Sequence, residues 1–211
     1  MVQREESVIG ILKIGSGNIS SVANAVYISG FDYIMVETPE DLEECSHLIL
    51  PGVGHFATAM NKLRQASFEQ PLQVFKRSGK PILGICLGMQ MLLTDSEEGE
   101  HSKGLDYIEG EIRRFSDEKV RVPHAGWNEI HIRNPHPLLE DIKPNSDMYF
   151  VHSFRAVNVS KKSVIATTHY QEDYPSVIAS ENIIGVQFHP EKSQNSGLKF
   201  IENFCDWDGT C

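Results

Sequence analysis

Apolar runs of strand length alternate with amphipathic segments along the first half of the chain. Strands are predicted over residues 8–14, 33–36, 47–50 and 82–85. The segments between and after them have helical patterns, over 20–29, 39–45, 56–78 with a break near Pro71, and 87–93. Because strands that alternate with helices form parallel sheets, this half predicts an α/β fold with a mostly parallel central sheet flanked by helices.

The pattern changes after about Gly104, where the apolar runs become short and alternate with polar residues. Residues 109–115 and 127–132 are typical of antiparallel strands, whereas 182–188 has the apolar content of a central strand and 197–204 that of a helix. No linker, repeat or low-complexity tract interrupts the pattern. We therefore predict one domain over residues 1–211, with an antiparallel region added to the parallel sheet.

Charge and hydropathy exclude several classes of function. The 211 residues carry a formal net charge of −10, so the chain lacks the basic face that nucleic acid requires. No apolar stretch approaches the roughly 20 residues of a membrane span, and the first residues lack the features of a signal peptide. The expectation is a soluble, cytoplasmic protein that binds neither nucleic acid nor membrane.

The cysteines and histidines do not suggest a metal site. The four cysteines include no Cys-x-x-Cys pair, which argues against a zinc site and against a disulfide framework. The nine histidines do not cluster with carboxylates at metal-ligand spacing, and four of them are predicted to be surface residues: His101, His131, His136 and His169. We expect neither a metal nor a cofactor.

The strongest chemical signal is Cys86, which follows a predicted buried strand and lies between Gly84 and Gly88. Glycines on both sides let a strand and a helix approach closely around a sharp turn that presents the thiol, as in a nucleophile elbow. At the start of a helix, the positive end of the helix dipole favours the nucleophilic thiolate. Taken alone, such a cysteine is also compatible with a small core residue.

His189 and Glu191 supply a candidate base and its orienting group. Pro190 cannot donate to a strand ladder, so the last strand must end near His189, at the sheet edge where parallel sheets bind ligands. We expect His189 to accept and return the proton of Cys86, and Glu191 to orient the imidazole from the same side of an extended strand end. A lone His-x-Glu is usually a surface pair; its combination with Cys86 predicts a catalytic triad.

Two segments resemble the signatures of class I, triad-type glutamine amidotransferases: Gly-Ile-Cys-Leu-Gly-Met-Gln at 84–90 and Gly-Val-Gln-Phe-His-Pro-Glu at 185–191. Within that superfamily the chain is similar to the glutaminase subunits of imidazole glycerol phosphate synthase, an enzyme of histidine biosynthesis. Three segments carry this narrower resemblance, at 50–56, 122–128 and 149–154. The resemblance covers nearly the whole chain and implies a flavodoxin-like fold and hydrolysis of L-glutamine through a thioester on Cys86.

The resemblance also implies roles for residues around the triad. Residues 51–54 match an oxyanion strand thought to rotate until the N–H groups of Val53 and Leu87 face the developing negative charge. Independently, Gly52 and Gly54 leave the N–H groups of this segment unobstructed by side chains. Four residues match positions that hold the substrate, namely Gln90, Glu98, Ser153 and Phe154. Glu98 lies in an acidic run that is also compatible with a solvated face.

A glutaminase of this family implies a partner, a (β/α)8-barrel cyclase subunit that receives the ammonia through an internal tunnel. Three residues match positions near the interface between the subunits: Pro123, Trp127 and Tyr149. An exposed tryptophan is a common interface hot spot, but a core tryptophan is equally compatible with the sequence. The free chain is expected to be nearly inactive until the partner binds its ligand.

Departures from the family pattern leave other functions open. Lys13, Ile14, Ala125 and Phe154 differ from the common residues, although none belongs to the triad. They leave room for a paralogous glutaminase subunit that supplies ammonia for the amidation of bacterial surface sugars. A non-catalytic binding module and a cysteine peptidase are alternatives of other classes. The intact triad argues against the first, and residues 51–54 together with Gln90 argue against the second.

Overall fold

The computed structural model describes residues 7–14, 18–99 and 101–210. The strands of these residues are β1 (Val8–Leu12), β2 (Asp32–Val36), β3 (His47–Leu50), β4 (Ile82–Ile85), β5 (Asp95–Ser96), β6 (Ser102–Lys103), β7 (Glu111–Arg114), β8 (His124–Glu129), β9 (His131–Ile132), β10 (Asp147–His152), β11 (Phe154–Val157), β12 (Val164–Tyr170), β13 (Glu172–Ser180) and β14 (Ile183–Val186). The α-helices are α1 (Ile19–Ile28), α2 (Phe56–Gln65), α3 (Glu69–Arg77), α4 (Leu87–Met91) and α5 (Gln194–Asp206).

The central sheet has eight strands in the order β2-β1-β3-β4-β14-β13-β12-β9. The pairs from β2 to β14 are parallel, and the pairs from β14 to β9 are antiparallel. The parallel half has the strand order of flavodoxin-like folds, in which ligands bind at the carboxyl ends of the strands. The predicted α/β class and the added antiparallel region are confirmed.

Apolar cores on the two faces of the sheet hold the helices in place. Val22 of α1 and Phe200 of α5 are buried in one core, and Met60 of α2 and Leu72 of α3 in the other. The strands between them are buried on both faces; β3, β4 and β14 have no exposed residue. Their apolar composition follows from this double coverage.

Two smaller sheets lie beside the central one and carry predicted site residues. One has the order β11-β7-β5-β6, and Glu98 lies in the segment between β5 and β6. The other pairs β8 with β10, so that Trp127 lies directly opposite Tyr149. Ser153 links β10 to β11, which places it between the two small sheets.

Two predicted helices differ from those observed. The helix predicted over 56–78 breaks at residues 66–68, where Ser67 has a φ of 59°, rather than at Pro71. Pro71 lies in the first turn of α3, where the missing N–H has no helical partner to lose. The segment predicted as a helix over 39–45 is a 3-10 helix, Pro39–Glu44, that ends with an i to i+3 hydrogen bond from Cys45 to Leu42.

His136 is buried, and the prediction that it lies on the surface was wrong. Its ring contacts Trp207 edge-on at 5.2 Å, and its Nδ1 accepts a hydrogen bond from the backbone N–H of Leu138. Burial lowers the pKa of His136 to about 4. The sequence pattern missed this because the apolar environment comes from Trp207, which is distant in the chain.

The other surface histidines are exposed or partly exposed, as predicted: His101, His131 and His169. Three of the cysteines are buried free thiols, Cys45, Cys86 and Cys205, and Cys211 lies outside the described residues. Within the part of the chain that the structure describes, no helix is long and apolar enough to cross a membrane.

Candidate active site

Cys86 lies on a tight turn between β4 and α4 with backbone angles φ 53° and ψ −105°, which few residues other than glycine adopt. Its N–H donates to the carbonyl of Val186 at 2.7 Å, which attaches the turn to the end of β14. A Cβ added to Gly84 would lie 2.7 Å from the backbone of Gly88, and one added to Gly88 would lie 1.7 Å from the carbonyl oxygen of Leu50. The turn therefore requires both glycines, as predicted.

His189 follows the end of β14 and is paired with Glu191. Its Nδ1 lies 2.8 Å from Oε1 of Glu191, and both side chains are almost completely buried. We expected Glu191 to lie on an extended strand end, and this prediction was wrong. Glu191 lies in a 3-10 turn, Pro190–Lys192, which brings the carboxylate back toward the imidazole.

The pairing determines which nitrogen of His189 faces the chemistry. Because a carboxylate only accepts hydrogen bonds, Nδ1 carries the proton and Nε2 has the lone pair. Among the described residues Nε2 is buried and makes no hydrogen bond in this structure. Burial disfavours the imidazolium, but the nearby Cys86 and the hydrogen-bonded carboxylate of Glu191 more than offset this and raise the pKa of His189.

Asn18 also contacts the triad, and the sequence analysis did not identify it. Its Nδ2 donates to the same Oε1 of Glu191 at 2.8 Å, and its Oδ1 accepts from Ser21 at 2.6 Å. Asn18 is the N-cap of α1, yet its side chain makes no cap hydrogen bond and contacts the carboxylate instead. A polar residue after the first strand of a parallel sheet was the signal that could have found it.

Gln187 is a second residue that the sequence analysis missed. It is completely buried, and its Nε2 lies 3.6 Å from Sγ of Cys86. Its Oε1 accepts from Nε2 of Gln90 at 3.2 Å, and Gln90 also donates to the carbonyl of Phe154 at 3.3 Å. The structure thus brings two of the predicted substrate-binding residues to the nucleophile. A glutamine in an otherwise apolar strand segment was the available signal.

The predicted oxyanion segment, residues 51–54, connects β3 to α2 and lies against the start of α4. A Cβ on Gly52 would lie 3.1 Å from the Cβ of Leu87, and Gly54 has a φ of 118°. Leu87 is the first residue of α4, so its N–H has no partner within the helix. A cavity of about 130 Å³ borders this segment, and Leu87 also lines it.

Glu98 lies at the other end of the oxyanion segment. Its Oε2 accepts the backbone N–H of Phe56, the first residue of α2, at 2.7 Å. The acidic run around it is not a plain solvated face, since Asp95 and Glu97 both pair with Arg113, at 3.1 and 3.8 Å. The carboxylate of Glu98 is thereby held at the N-terminus of α2, where the helix dipole stabilises it.

The three predicted interface residues lie at or near the surface. Trp127 is 47 % exposed, which decides against a core role, and its ring contacts Tyr149 edge-on with centroids 5.9 Å apart. Pro123 is exposed at the start of the same region. Tyr149 also reaches the site through its backbone, because its carbonyl accepts the N–H of His189 at 2.9 Å.

Known proteins resemble this chain over most of its length. The family model for glutamine amidotransferase class-I matches residues 11–207. The chain is 42 % identical to imidazole glycerol phosphate synthase subunit HisH of Halalkalibacterium halodurans, over 93 % of this chain and 94 % of that protein. It is 44 % identical to the protein of the same name from Methanosarcina barkeri, over 94 % and 98 %.

Solved structures share the fold at lower identity. A glutamine amidotransferase structure superposes with a TM-score of 0.74 at 19 % identity, over 94 % of this chain and 99 % of that one. PurLQS from Thermotoga maritima gives 0.75 at 18 %, over 95 % and 98 %. Family match, curated relatives and fold lead to one conclusion: the chain belongs to the class-I glutamine amidotransferases, and within them to the HisH group.

Proposed function

We propose that this chain is the glutaminase subunit of an imidazole glycerol phosphate synthase and hydrolyses L-glutamine to glutamate and ammonia for histidine biosynthesis. The observation that carries the chemistry is the buried pair of His189 and Glu191, 2.8 Å apart, next to the Cys86 elbow. The relatives named above, which align over more than nine tenths of both chains, support the choice of pathway.

In the first half of the reaction, Nε2 of His189 accepts the thiol proton and Sγ of Cys86 attacks the side-chain amide carbon of glutamine. The N–H groups of Val53 and Leu87 stabilise the oxyanion that forms on the amide oxygen, an effect worth about 10²–10³ in rate for one donor. When the intermediate collapses, the carbon–nitrogen bond breaks. His189 returns the proton to the leaving nitrogen, so ammonia departs and a glutamyl thioester remains.

In the second half, His189 accepts a proton from water, whose oxygen attacks the thioester carbon. Glutamate is released when the carbon–sulfur bond breaks and the proton returns to Cys86. Four residues would hold the amino-acid end of the substrate, Gln90, Glu98, Ser153 and Phe154. The negative charge of Glu98 suits the α-ammonium group of glutamine.

The ammonia would pass to a (β/α)8-barrel cyclase subunit of the HisF type, which makes imidazole glycerol phosphate and AICAR. We assign the docking face to Pro123, Trp127 and Tyr149. The exposed Trp127 and the hydrogen bond from His189 to Tyr149 support this assignment, because they connect a candidate hot spot with the triad through one strand pair. Both subunits would work in the cytoplasm.

The amidation of surface sugars by a paralogous enzyme would use the same glutaminase chemistry and a different synthase. The relatives described above carry the histidine-pathway name, so we assign this chain to that pathway. Only the partner distinguishes the two functions.

The test is glutamate release from L-glutamine by the purified chain, alone and with a histidine-pathway cyclase and its nucleotide ligand. Cys86→Ala is the blank. Strong stimulation by the cyclase that is lost in Cys86→Ala is the expected result. Cys86-dependent turnover at a rate that the cyclase does not change would assign the chain to another synthase. No turnover under any condition would refute the glutaminase function.

A further inference from the structure

Two histidines, His124 and His152, are buried side by side next to the triad, and the reaction described above does not use them. Nδ1 of His124 lies 3.2 Å from Nε2 of His152. The hydroxyl of Tyr174 lies 3.1 Å from the same Nε2 and 3.3 Å from Nδ1 of His124. All three side chains are almost completely buried, and they are packed around the ring of Phe115.

The hydrogen bonds determine where the proton of His152 lies. Nδ1 of His152 is 2.7 Å from the backbone carbonyl of Phe154. Because a carbonyl only accepts, Nδ1 must be the protonated nitrogen. Burial lowers the pKa of His152 to about 3, so the ring is neutral near pH 7 and its Nε2 is an acceptor.

The proton of His124 is determined in the same way from the other end. Nδ2 of Asn128 lies 3.2 Å from Nε2 of His124 and 3.0 Å from the carbonyl of His169. The side-chain atom of Asn128 beside the carbonyl of His169 must be a donor, so it is the amide nitrogen. Nε2 of His124 therefore accepts a hydrogen bond from this nitrogen. Burial lowers the pKa of His124 to about 4, and the proton of this neutral ring is therefore on Nδ1, which points at His152 and Tyr174.

Three of these bonds run in one direction, from β8 to the carbonyl of Phe154, where a second donor from the substrate-binding residues meets them. Asn128 donates to His124, His124 to His152, and His152 to the carbonyl of Phe154. The same carbonyl accepts from Gln90 at 3.3 Å. The amide of Gln90 also donates to Gln187, whose Nε2 lies 3.6 Å from Sγ of Cys86. No link in this chain requires a charged ring.

We infer that His124 and His152 are positioning residues, which hold the carbonyl of Phe154, and through it the amide of Gln90, in the orientation that the glutamine site requires. This inference rests on the proposed glutaminase function. It has a consequence for the substrate, since two donors already occupy the carbonyl of Phe154. The α-ammonium group of glutamine therefore binds elsewhere, and the carboxylate of Glu98 is its counter-ion.

The proton order is measured on the wild-type chain, by NMR of the full chain labelled with ¹⁵N-histidine at pH 7. Both rings are expected to be neutral and to have the proton on Nδ1, which is the less common tautomer of histidine in water. Substitution of each histidine in turn assigns the resonances. A charged ring, or a proton on Nε2 in either residue, would overturn the inference.

The positioning role is tested with a matched pair of variants, His152→Asn and His152→Gln. The amide nitrogen of asparagine replaces Nδ1 and can still donate to the carbonyl of Phe154, whereas the longer glutamine places its amide near the position of Nε2. With the cyclase and its nucleotide ligand present, intact-mass spectrometry follows the alkylation of Cys86 by the glutamine-shaped diazoketone 6-diazo-5-oxo-L-norleucine. Iodoacetamide, which lacks the amino-acid group, reports the reactivity of the thiol itself.

Reaction with the diazoketone should slow about tenfold in His152→Gln and less than about threefold in His152→Asn, the difference expected for one buried hydrogen bond. Iodoacetamide should react equally with both variants and the wild type. Equal diazoketone rates in the two variants, or a parallel loss with both reagents, would overturn the positioning role. A wild-type chain that reacts only with iodoacetamide, even with the cyclase and its nucleotide ligand present, would refute the glutamine site itself. The NMR measurement still decides the proton order if either variant fails to fold.

Discussion

Gly88→Ala tests whether the close contact between β3 and α4 builds the active site. Gly88 lies in the first turn of α4, and an added Cβ would lie 1.7 Å from the carbonyl oxygen of Leu50. Cβ atoms essentially never approach another atom within 3.0 Å. Since both sides of this contact are backbone, the strand and the helix must separate by about 1.3 Å or more.

This separation would displace the two parts of the proposed oxyanion hole in opposite directions. Leu50 leads directly into residues 51–54, and α4 begins with Leu87, next to Cys86. A misplacement of about 1 Å at reacting groups costs on the order of 10² in rate. We expect kcat for glutamine hydrolysis to fall about 100-fold or more, with a loss of stability of roughly 3–5 kcal/mol.

Gly79→Ala is the matched control. Gly79 has a φ of 80°, and a Cβ there would have no neighbour within 4 Å. The substitution should cost about 1–2 kcal/mol of stability through the left-handed backbone and leave kcat unchanged. The assay is glutamate release in the presence of the cyclase, below the unfolding temperature of each variant. A folded Gly88→Ala enzyme with kcat within threefold of the wild type would refute the reasoning.

Three further predictions concern other parts of the molecule. Asn18→Ala should lower kcat about tenfold or more, because it removes a hydrogen bond to the triad carboxylate worth roughly 1.5–3 kcal/mol; an unchanged kcat would show that the carboxylate is oriented without it. Trp127→Ala should weaken cyclase binding by about 2 kcal/mol in calorimetric titration at an unchanged unfolding temperature, whereas Val74→Ala, which is 61 % exposed on α3, should alter neither. The free energy of unfolding should decrease as the pH falls from about 6.5 toward 4, because burial lowers the pKa of His136 to about 4 and only the unfolded chain takes up the proton in that range. In denaturant titrations, His136→Gln should reduce this slope by up to about 1.4 kcal/mol per pH unit, and the same substitution at the exposed His101 should not.

The hydrogen-bonded chain from Asn128 to Cys86 is buried, so each of its polar groups loses contact with water and needs a partner within the protein. Each buried polar group must be satisfied, and a partly satisfied network is less stable than an apolar core. In this site each ring nitrogen of His124 and His152 has a partner with the right polarity. The network therefore adds orientation at the substrate site without leaving a buried ring nitrogen unpaired.

The amino-acid sequence by itself determined the features that depend on short stretches of chain. The alternation of apolar runs and helical patterns predicted the parallel sheet, and the glycines around Cys86 predicted the elbow, because the backbone requirement is local to the motif. Pro190 likewise predicted the end of the last parallel strand near His189. These signals are local because steric exclusion and ladder hydrogen bonding act on neighbouring residues.

Only the tertiary structure decided which distant side chains meet. Asn18 contacts Glu191 across 173 positions of sequence, and Gln187 contacts Cys86 across 101. The burial of His136 and the exposure of Trp127 depend on what packs against them, since both residue types occur in cores and on surfaces. No local pattern contains that information, because it arises when the carboxyl ends of parallel strands far apart in the chain are brought to one edge of a sheet.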